Sequence, residues 1–220
     1  MRRLVYVSGK LGAGKTSLAI PLAAELGYSL VTKDLIKETL HDALYVPGEG
    51  EVDRAWSLRV GSAAMDLLWA LAARAGDMVI EANFHPESED ELNKLRGLDG
   101  NLVEVHCACP ADVAVARYNA RSRHEVHVLK QVNLTAMERY KRPVGVGSLI
   151  TVDTTAPVDI AAVADEVRRI FKYPVGSADE LPAAGGPGRQ RSPDAGHLAL
   201  PATGRLNRSQ PGIPLPSLAT

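Results

Sequence analysis

The sequence predicts an α/β fold built on a parallel β-sheet, and two observations carry this prediction. Apolar runs of four to six residues recur along the chain, and longer segments with helical patterning separate them. A chain that alternates strands and helices in this way forms βαβ units, whose parallel sheet is covered by helices on both faces. We therefore expect a three-layer architecture around five parallel strands.

Each expected strand is a short apolar run with a turn residue close behind it. Residues 4–8 run into a glycine, which is typical of a strand buried in a parallel sheet. The other four runs are 29–32, 77–82, 102–107 and 148–152.

The expected helices fill the intervals between these strands. Gly27 fits the left-handed cap that commonly follows a helix, and Pro110 suits a first helical position. Residues 122–142 are polar and basic, and we assign no element to them. The expected helices are 15–26, 34–40, 52–75, 86–96, 110–121 and 160–171.

Charge and cysteine content exclude several classes of protein. The chain has 220 residues with 25 basic and 26 acidic side chains, so it provides no global field for nucleic acid or an anionic membrane. No apolar run approaches the roughly 20 residues of a membrane span, and we expect no signal peptide. Two cysteines, Cys107 and Cys109, do not make a disulfide framework, so we expect buried thiols in a reducing cytoplasm.

Proline and glycine concentrate towards the C-terminal end. Residues 174–220 hold eight of the 14 prolines and seven of the 19 glycines, with no aromatic residue and no lysine. Such a stretch buries too little apolar surface to offset its ordering entropy. We therefore expect one folded domain, residues 1–173, and a disordered tail, residues 174–220. A PxxP pattern at 211–214 leaves a polyproline ligand open as an alternative role for the tail.

A glycine-rich motif follows the first strand and opens the first helix. Residues 9–16 read GKLGAGKT and fit the phosphate-binding pattern G-x-x-x-x-G-K-[ST]. Glycines allow backbone N–H groups to approach a phosphate, and the helix N-terminus adds partial positive charge. We expect Lys15 to reach the β and γ phosphates and the Thr16 hydroxyl to bind Mg²⁺.

The motif and its position between a strand and a helix predict a P-loop NTPase fold that binds ATP. Guanine nucleotides stay open as an alternative, although the NKxD motif of GTPases is absent from the sequence. The expected nucleotide ligands within the motif are Gly9, Gly12, Ala13, Gly14, Lys15, Thr16 and Ser17.

Three further motifs accompany the P-loop. They are DLIKE at 34–38, VIEANF at 79–84, and the arginines Arg117, Arg121 and Arg123 around the end of a helix. With these motifs the chain resembles the small P-loop kinases grouped with polynucleotide kinase, chloramphenicol phosphotransferase and zeta toxin. The resemblance spans residues 4–170 and implies an ATP-dependent kinase.

Asp34 comes just past the second strand, at the edge where ligands of a doubly wound sheet bind. The resemblance implies that Asp34 accepts the proton of the acceptor hydroxyl, a task that suits a carboxylate. The alternative is that Asp34 only caps the helix that starts at Leu35. Lys37 lies one helical turn further on, and we expect it to pair with Asp34 or with the transferring phosphate.

Glu81 ends the third strand, where P-loop enzymes place the acidic residue that orients the Mg²⁺ shell or the attacking group. We predict that Glu81 supports Mg²⁺ or contacts the acceptor, with a solvated strand-end carboxylate as the alternative. Asn83 follows on the same rim and is expected to face the substrate.

The resemblance implies that Arg117, Arg121 and Arg123 belong to a mobile lid that covers the phosphates, with Arg121 stabilising transition-state charge. Arginine suits this task because it stays charged and binds two oxygens at once. The alternative is a solvated basic helix end. His124 and His127 follow three residues apart, and no further ligand cluster in the sequence supports a zinc site.

The expected reaction is transfer of the γ-phosphate of ATP to a hydroxyl of a small molecule, in the sugar, nucleoside or antibiotic class. We expect the acceptor pocket to come from the helix after Asp34, the loop 45–51 and the start of the long helix, with Asp53, Arg54, Trp56 and Arg59. No basic stripe with interleaved aromatics favours a nucleic-acid acceptor. The alternatives are a regulatory P-loop ATPase or switch without an acceptor, and a 5′-hydroxyl nucleic-acid kinase.

Overall fold

The sheet consists of five parallel strands in the order β2-β3-β1-β4-β5, which confirms the predicted α/β class. The structure is a computed structural model that describes residues 2–48, 50–98 and 100–173. The predicted disordered tail, residues 174–220, lies outside the described residues, so the division at residue 173 stays a prediction. The strands are β1 (Arg3–Gly9), β2 (Ser29–Thr32), β3 (Met78–Glu81), β4 (Asn101–Ala108) and β5 (Ser148–Asp153).

The described part of the chain contains seven helices, of which six lie between strands and the seventh follows β5. The first ends as predicted, because Gly27 adopts the left-handed conformation that closes a helix. Within these ranges no helix is both long and apolar enough to cross a membrane. The helices are α1 (Lys15–Leu26), α2 (Lys33–Leu44), α3 (Arg54–Arg74), α4 (Glu89–Arg96), α5 (Ala111–Ala120), α6 (Leu134–Glu138) and α7 (Ile160–Lys172).

The central strand β1 divides the apolar core into two halves, because successive side chains of a strand point to opposite faces. Val5 and Val7 pack with apolar side chains of α1 and α7 on one face. Leu4 and Tyr6 pack with apolar side chains of α3 and α4 on the other face. The sheet is therefore the middle layer of three, as the sequence predicted.

Two helical segments differ from the sequence prediction. Helix α2 continues to Leu44 instead of ending near residue 40, because residues 41–44 contain no proline or glycine to break it. The five-residue helix α6 lies within the interval 122–142, where no element was expected. Helices this short carry too few residues for a recognisable apolar period, so the sequence pattern could not reveal α6.

Helix α3 buries only some of its apolar side chains. Val60, Ala64 and Leu68 are buried, but Leu67 and Leu71 are about 40% exposed. The buried stripe continues through Trp69 instead. The helix therefore faces the sheet along a narrower stripe than its apolar composition suggested.

A fully buried carboxylate connects the sheet to the chain segment that leads into β5. Glu104 on β4 accepts hydrogen bonds from Tyr6 Oη (2.9 Å) and Ser8 Oγ (2.5 Å) on β1. Its two oxygens also accept the backbone N–H groups of Val144 and Gly145, each at 2.8 Å. Four protein donors satisfy the carboxylate, which makes burial of an acidic group tolerable.

Candidate active site

The candidate site lies at the carboxyl edge of the sheet, where three neighbouring strands end. Glu81 at the end of β3 is in register with Val7 of β1 on one side and Thr32 of β2 on the other. The P-loop begins at Gly9, the last residue of β1, and Asp34 follows β2 by two residues. The parallel register therefore brings the predicted nucleotide, metal and acceptor residues to one place.

The P-loop wraps the ammonium group of Lys15, which is only 6% exposed. Lys15 Nζ donates hydrogen bonds to the backbone oxygens of Gly9 (3.1 Å) and Lys10 (2.8 Å). Burial lowers the pKa of Lys15, while the charges of Glu81 and Asp34 oppose the shift. The loop thus holds a cation under its own backbone, facing the space that phosphate oxygens occupy in P-loop proteins.

Close backbone approach explains why residue 12 is glycine. Gly12 has a φ of +78°, and a Cβ atom added there would lie 2.2 Å from the backbone oxygen of Ala114 on α5. A side chain at residue 12 would therefore push the P-loop away from α5, in addition to straining the backbone. The predicted ligand Ala13 is buried, and its N–H closes a turn with Lys10 O at 3.1 Å.

The two predicted metal ligands lie in contact. Thr16 Oγ1 donates to Glu81 Oε2 across 3.1 Å, and Glu81 is buried at the floor of the site. Burial raises the pKa of Glu81, while nearby Lys15 lowers it. A hydroxyl and a carboxylate oxygen form a hard donor pair, which suits Mg²⁺ with several waters retained.

Asp34 does not cap α2. The N-cap is Thr32, whose hydroxyl accepts the N–H of Leu35, so the capping alternative for Asp34 is wrong. The carboxylate of Asp34 accepts a hydrogen bond from Lys33 Nζ at 3.1 Å and is 44% exposed. Burial alone would raise the pKa of Asp34, but the charges of Lys33, His127 and Lys15 lower it overall. Asp34 is therefore held as a carboxylate with room for an acceptor.

Lys37 occupies a different environment from the predicted one. Its ammonium group donates to Ser57 Oγ on α3 at 2.7 Å, whereas Lys33 makes the contact with Asp34. Lys37 is 6% exposed, and burial lowers its pKa to about 8. Sequence spacing placed Lys37 and Asp34 on one helix face, but it did not reveal that Ser57 would bind the ammonium group.

A small cavity of about 60 Å³ brings most of the predicted residues together. Its wall combines the P-loop with side chains that follow β2 and β3 and with two of the three arginines. Six of the predicted residues in this wall are Lys15, Thr16, Asp34, Glu81, Asn83 and Arg123. Arg121 also reaches this cavity, and Ser17 borders both it and a larger neighbour.

The larger cavity, about 530 Å³, opens beside the P-loop between α5 and the loop that follows β5. Arg117 lines it and donates to the backbone oxygens of Thr154 and Thr155, each at 2.8 Å. Arg123 lies between the two cavities, stacked 3.6 Å from the ring centroid of Tyr118. Its Nε atom is buried and has no hydrogen-bond partner.

Sequence reasoning missed residues 154–158, which form one wall of the larger cavity. Thr154 is buried and its hydroxyl donates to Ala13 O at 2.7 Å, so this loop is fastened to the P-loop. The run TTAPV carries no phosphate or base motif, and only the parallel order of β5 beside β4 brings it to the site.

The expected acceptor pocket corresponds to a third cavity, but a distant one. It measures about 370 Å³ and is lined by Tyr45, Glu51, Asp53, Trp56 and Arg59. Tyr45 follows Asp34 by eleven residues, so about 16 Å of helix separates the two. One small molecule therefore cannot touch both Tyr45 and Asp34, so the structure does not bring the expected acceptor residues of this cavity to Asp34.

A family comparison decides to which group of proteins this fold and site belong. The family model described as AAA domain matches residues 4–144. The chain belongs to this family. No curated protein matches the chain significantly.

Solved structures similar to this AAA domain protein include several kinases. A candidate kinase from Chloroflexus aurantiacus is 29% identical, with a TM-score of 0.62 over 76% of this chain and 97% of that one. Shikimate kinase from Acinetobacter baumannii, solved with shikimate, is 17% identical, with a TM-score of 0.53 over 78% and 94%. A gluconokinase from Sinorhizobium meliloti is 17% identical, with a TM-score of 0.51 over 78% and 94%. The last two share the fold with this protein.

Proposed function

We propose that this protein is an ATP-dependent kinase that transfers the γ-phosphate to a hydroxyl group of a small molecule. One observation carries the proposal: the Asp34 carboxylate lines the same small cavity as the P-loop residues Lys15 and Thr16. A carboxylate opposite the phosphates can orient an attacking hydroxyl group, and the transfer assay below distinguishes an acceptor hydroxyl from water. A kinase uses such a group to orient the acceptor hydroxyl and take its proton.

The nucleotide would occupy the two adjoining cavities. The larger one has the volume for an adenine nucleoside, with Arg117 and residues 154–158 at its wall. The smaller one would receive the terminal phosphates between the P-loop amides, Lys15 and Arg123. This arrangement supports a nucleoside triphosphate as the donor, and the absence of NKxD from the sequence favours ATP over GTP.

Thr16 and Glu81 would hold Mg²⁺, directly or through water. The bound ion would neutralise charge on the phosphate oxygens during transfer. The raised pKa of Glu81 fits a carboxylate that is stabilised once a cation arrives, because the buried negative charge then gains a partner.

Asp34 would act on the acceptor side. As the acceptor oxygen bonds to the γ-phosphorus and the bond to ADP breaks, the hydroxyl proton passes to the Asp34 carboxylate. The lowered pKa of Asp34 keeps it ionised and ready before transfer. Arg121 and Arg123 would stabilise the charge spread over the transferring group.

The structural relatives support a small hydroxylated acceptor. The Chloroflexus aurantiacus protein is a candidate kinase, and the two relatives of lower identity are kinases of shikimate and gluconate. We include sugars, nucleosides and hydroxylated antibiotics among the acceptors to be tested. The near-neutral net charge gives no reason to place a polynucleotide first.

The test is a transfer assay with γ-labelled ATP and Mg²⁺ against sugars, nucleosides, sugar acids, aminoglycosides and RNA 5′-hydroxyl ends. We expect label on one acceptor class, loss of nucleotide binding in Lys15→Ala, and a fall of at least about 100-fold in kcat for Asp34→Asn with ATP binding kept. The matched control is Asp66→Asn, at an exposed carboxylate of α3, which should behave as the wild type.

Two outcomes would contradict the proposal. Label that reaches no acceptor, with ATP hydrolysis unaffected by Asp34→Asn, would instead support a regulatory ATPase. Label that moves to RNA 5′ ends alone would replace the small-molecule acceptor by a nucleic acid.

A further inference from the structure

Three histidine–carboxylate pairs join helix α2 to the segment that follows the lid arginines. His41 Nε2 lies 2.9 Å from Glu125 Oε1, and His124 Nε2 lies 2.9 Å from Asp42 Oδ1. A third pair joins His127 Nε2 to a carboxylate oxygen of α2 at 2.8 Å. We name this set the histidine clasp, and its six residues are Glu38, His41, Asp42, His124, Glu125 and His127.

Helix α2 supplies three of the six clasp residues, all from one face. Glu38, His41 and Asp42 are spaced i, i+3 and i+4, so their side chains point the same way from α2. The segment 124–127 lies along this face and is held at its middle as well. Val126 is fully buried, and its backbone oxygen accepts a hydrogen bond from Ser57 Oγ at 2.6 Å.

The hydrogen-bond partners fix which ring nitrogens carry protons. Trp56 Nε1–H, which can only donate, donates to His41 Nδ1 at 2.8 Å. The backbone N–H of Val126 donates to His124 Nδ1 at 3.2 Å. Both Nδ1 atoms therefore act as acceptors, and both Nε2 atoms carry the proton that the carboxylates receive.

This proton arrangement distinguishes a clasp from a metal site. His41, Asp42 and His124 lie close enough together to surround a cation. A cation could bind either ring only through a lone pair on Nε2. Because Nδ1 accepts a hydrogen bond from Trp56 or Val126, a neutral ring carries its proton on Nε2 and has no lone pair there. The sequence did not suggest this cluster, because its members are about 80 residues apart in the chain.

The clasp adjoins both halves of the proposed reaction centre. On one side, α2 carries Asp34, and Asp34 influences His127 by its charge. On the other side, Arg123 immediately precedes His124 and lines the small cavity that we assign to the terminal phosphates, called the phosphate cavity below. Arg121, two residues further back, lines it too.

We propose that the histidine clasp positions Arg121 and Arg123 over the phosphates by docking the segment 124–127 on the acceptor-side helix α2. This inference rests on the proposed kinase function for its catalytic consequence. The clasp residues are positioning residues, since none of them lines the phosphate cavity. Glu125 and Asp42 are each about 65% exposed, so the two pairs that they form are individually weak.

The first experiment does not depend on any activity. Hydrogen exchange of the amides in 122–128 is compared between the wild type and the triple variant Glu38→Ala, Asp42→Ala, Glu125→Ala. We expect exchange about tenfold faster in the triple variant, because three charge-assisted hydrogen bonds that hold the segment are lost. The matched control, Asp90→Ala, removes an exposed carboxylate that pairs with Lys94 within α4 and should leave these amides unchanged.

A conservative variant separates positioning from charge. Glu38→Gln, Asp42→Asn and Glu125→Gln keep an oxygen acceptor for each imidazole N–H and should restore slow exchange. Equal exchange in the wild type and the alanine variant would overturn the proposal. Fast exchange in both triple variants would also overturn it, because hydrogen bonding would then not hold the segment.

The second experiment measures the coupling to catalysis. In the alanine variant we expect kcat for transfer to fall about tenfold and the ratio of hydrolysis to transfer to rise, with ADP affinity changed less than twofold. The conservative variant should recover kcat. A fall in ADP affinity that matches the fall in kcat would show a merely structural role and overturn the proposal. If no acceptor is found, the exchange experiment still decides whether the clasp exists.

Discussion

A buried ammonium group is costly at the residue scale, and Lys37 is the clearest case in this protein. Its pKa of about 8 lies below the usual 10.5 because burial disfavours the charged form. Between pH 8 and pH 10.5 the unfolded chain therefore holds a proton that the folded protein has released. Raising the pH through this window stabilises the folded state by up to about 3 kcal/mol.

Replacing Lys37 by methionine should remove this dependence. We expect the free energy of unfolding of Lys37→Met to lack the rise that the wild type shows between pH 8 and pH 10.5, as measured by urea titration at several pH values. The control is Lys141→Met, at an exposed lysine paired with Glu138. Identical pH profiles for the wild type and Lys37→Met would contradict the assignment.

The buried carboxylate of Glu104 provides a second prediction at the residue scale, on the stability of the folded protein. A glutamine at this position would present one acceptor oxygen where the carboxylate presents two, so two of its four donors would face an N–H₂ group. We expect Glu104→Gln to lower the free energy of unfolding by about 2–4 kcal/mol. Glu25→Gln, at an exposed pair with Arg168, should cost less than about 1 kcal/mol, and a similar loss in both variants would count against this account.

At the scale of elements, alanine substitutions at two glycines separate two effects: the close contact of the P-loop with α5 and the strain of a left-handed backbone. Gly12→Ala introduces both a left-handed alanine and a Cβ 2.2 Å from Ala114 O. Gly27→Ala introduces only the strain, since its Cβ would meet nothing within 4 Å. We expect Gly27→Ala to lower the free energy of unfolding by about 1 kcal/mol and leave nucleotide affinity unchanged.

Gly12→Ala should cost more than about 2 kcal/mol and weaken ADP binding at least tenfold, because the loop must shift away from α5. Thermal unfolding and ADP titration of the two variants make the comparison. Nucleotide affinity reduced equally in both variants would mean that conformational strain alone governs the loop.

The elements themselves were largely predictable, because apolar runs and glycine or proline boundaries are local signals. The bounds of α1 and β2 agree with the sequence prediction, and the other predicted elements differ by a few residues. Local sequence patterns could not predict hydrogen bonds between residues that are distant in the chain. The contacts of Lys37 with Ser57, of His41 with Glu125 and of Glu104 with Val144 all depend on the order in which strands assemble.

At the scale of the whole molecule, the motifs predicted the centre of the site better than its edges. The P-loop, Asp34, Glu81 and Asn83 follow strands β1, β2 and β3, and parallel register brings them together. Residues 154–158, which line the larger cavity, carry no motif, because only the assembled sheet brings them to the site. Their roles, like those of the predicted site residues, are open to the experiments proposed above.

The packing of Gly9 on β4 has a practical consequence. Cys107 lies directly beneath this glycine, is fully buried, and has a pKa raised by burial to about 12. The chain contains only one other thiol, Cys109, which is also buried. Alkylation of Cys107 requires the packing around Gly9 to open, so the labelling rate of the peptide that carries Cys107, resolved from labelling at Cys109 by fragmentation, reports that opening in the unmutated protein. We expect ADP to slow the labelling, which would provide a reagent-based assay of nucleotide occupancy before any acceptor is known.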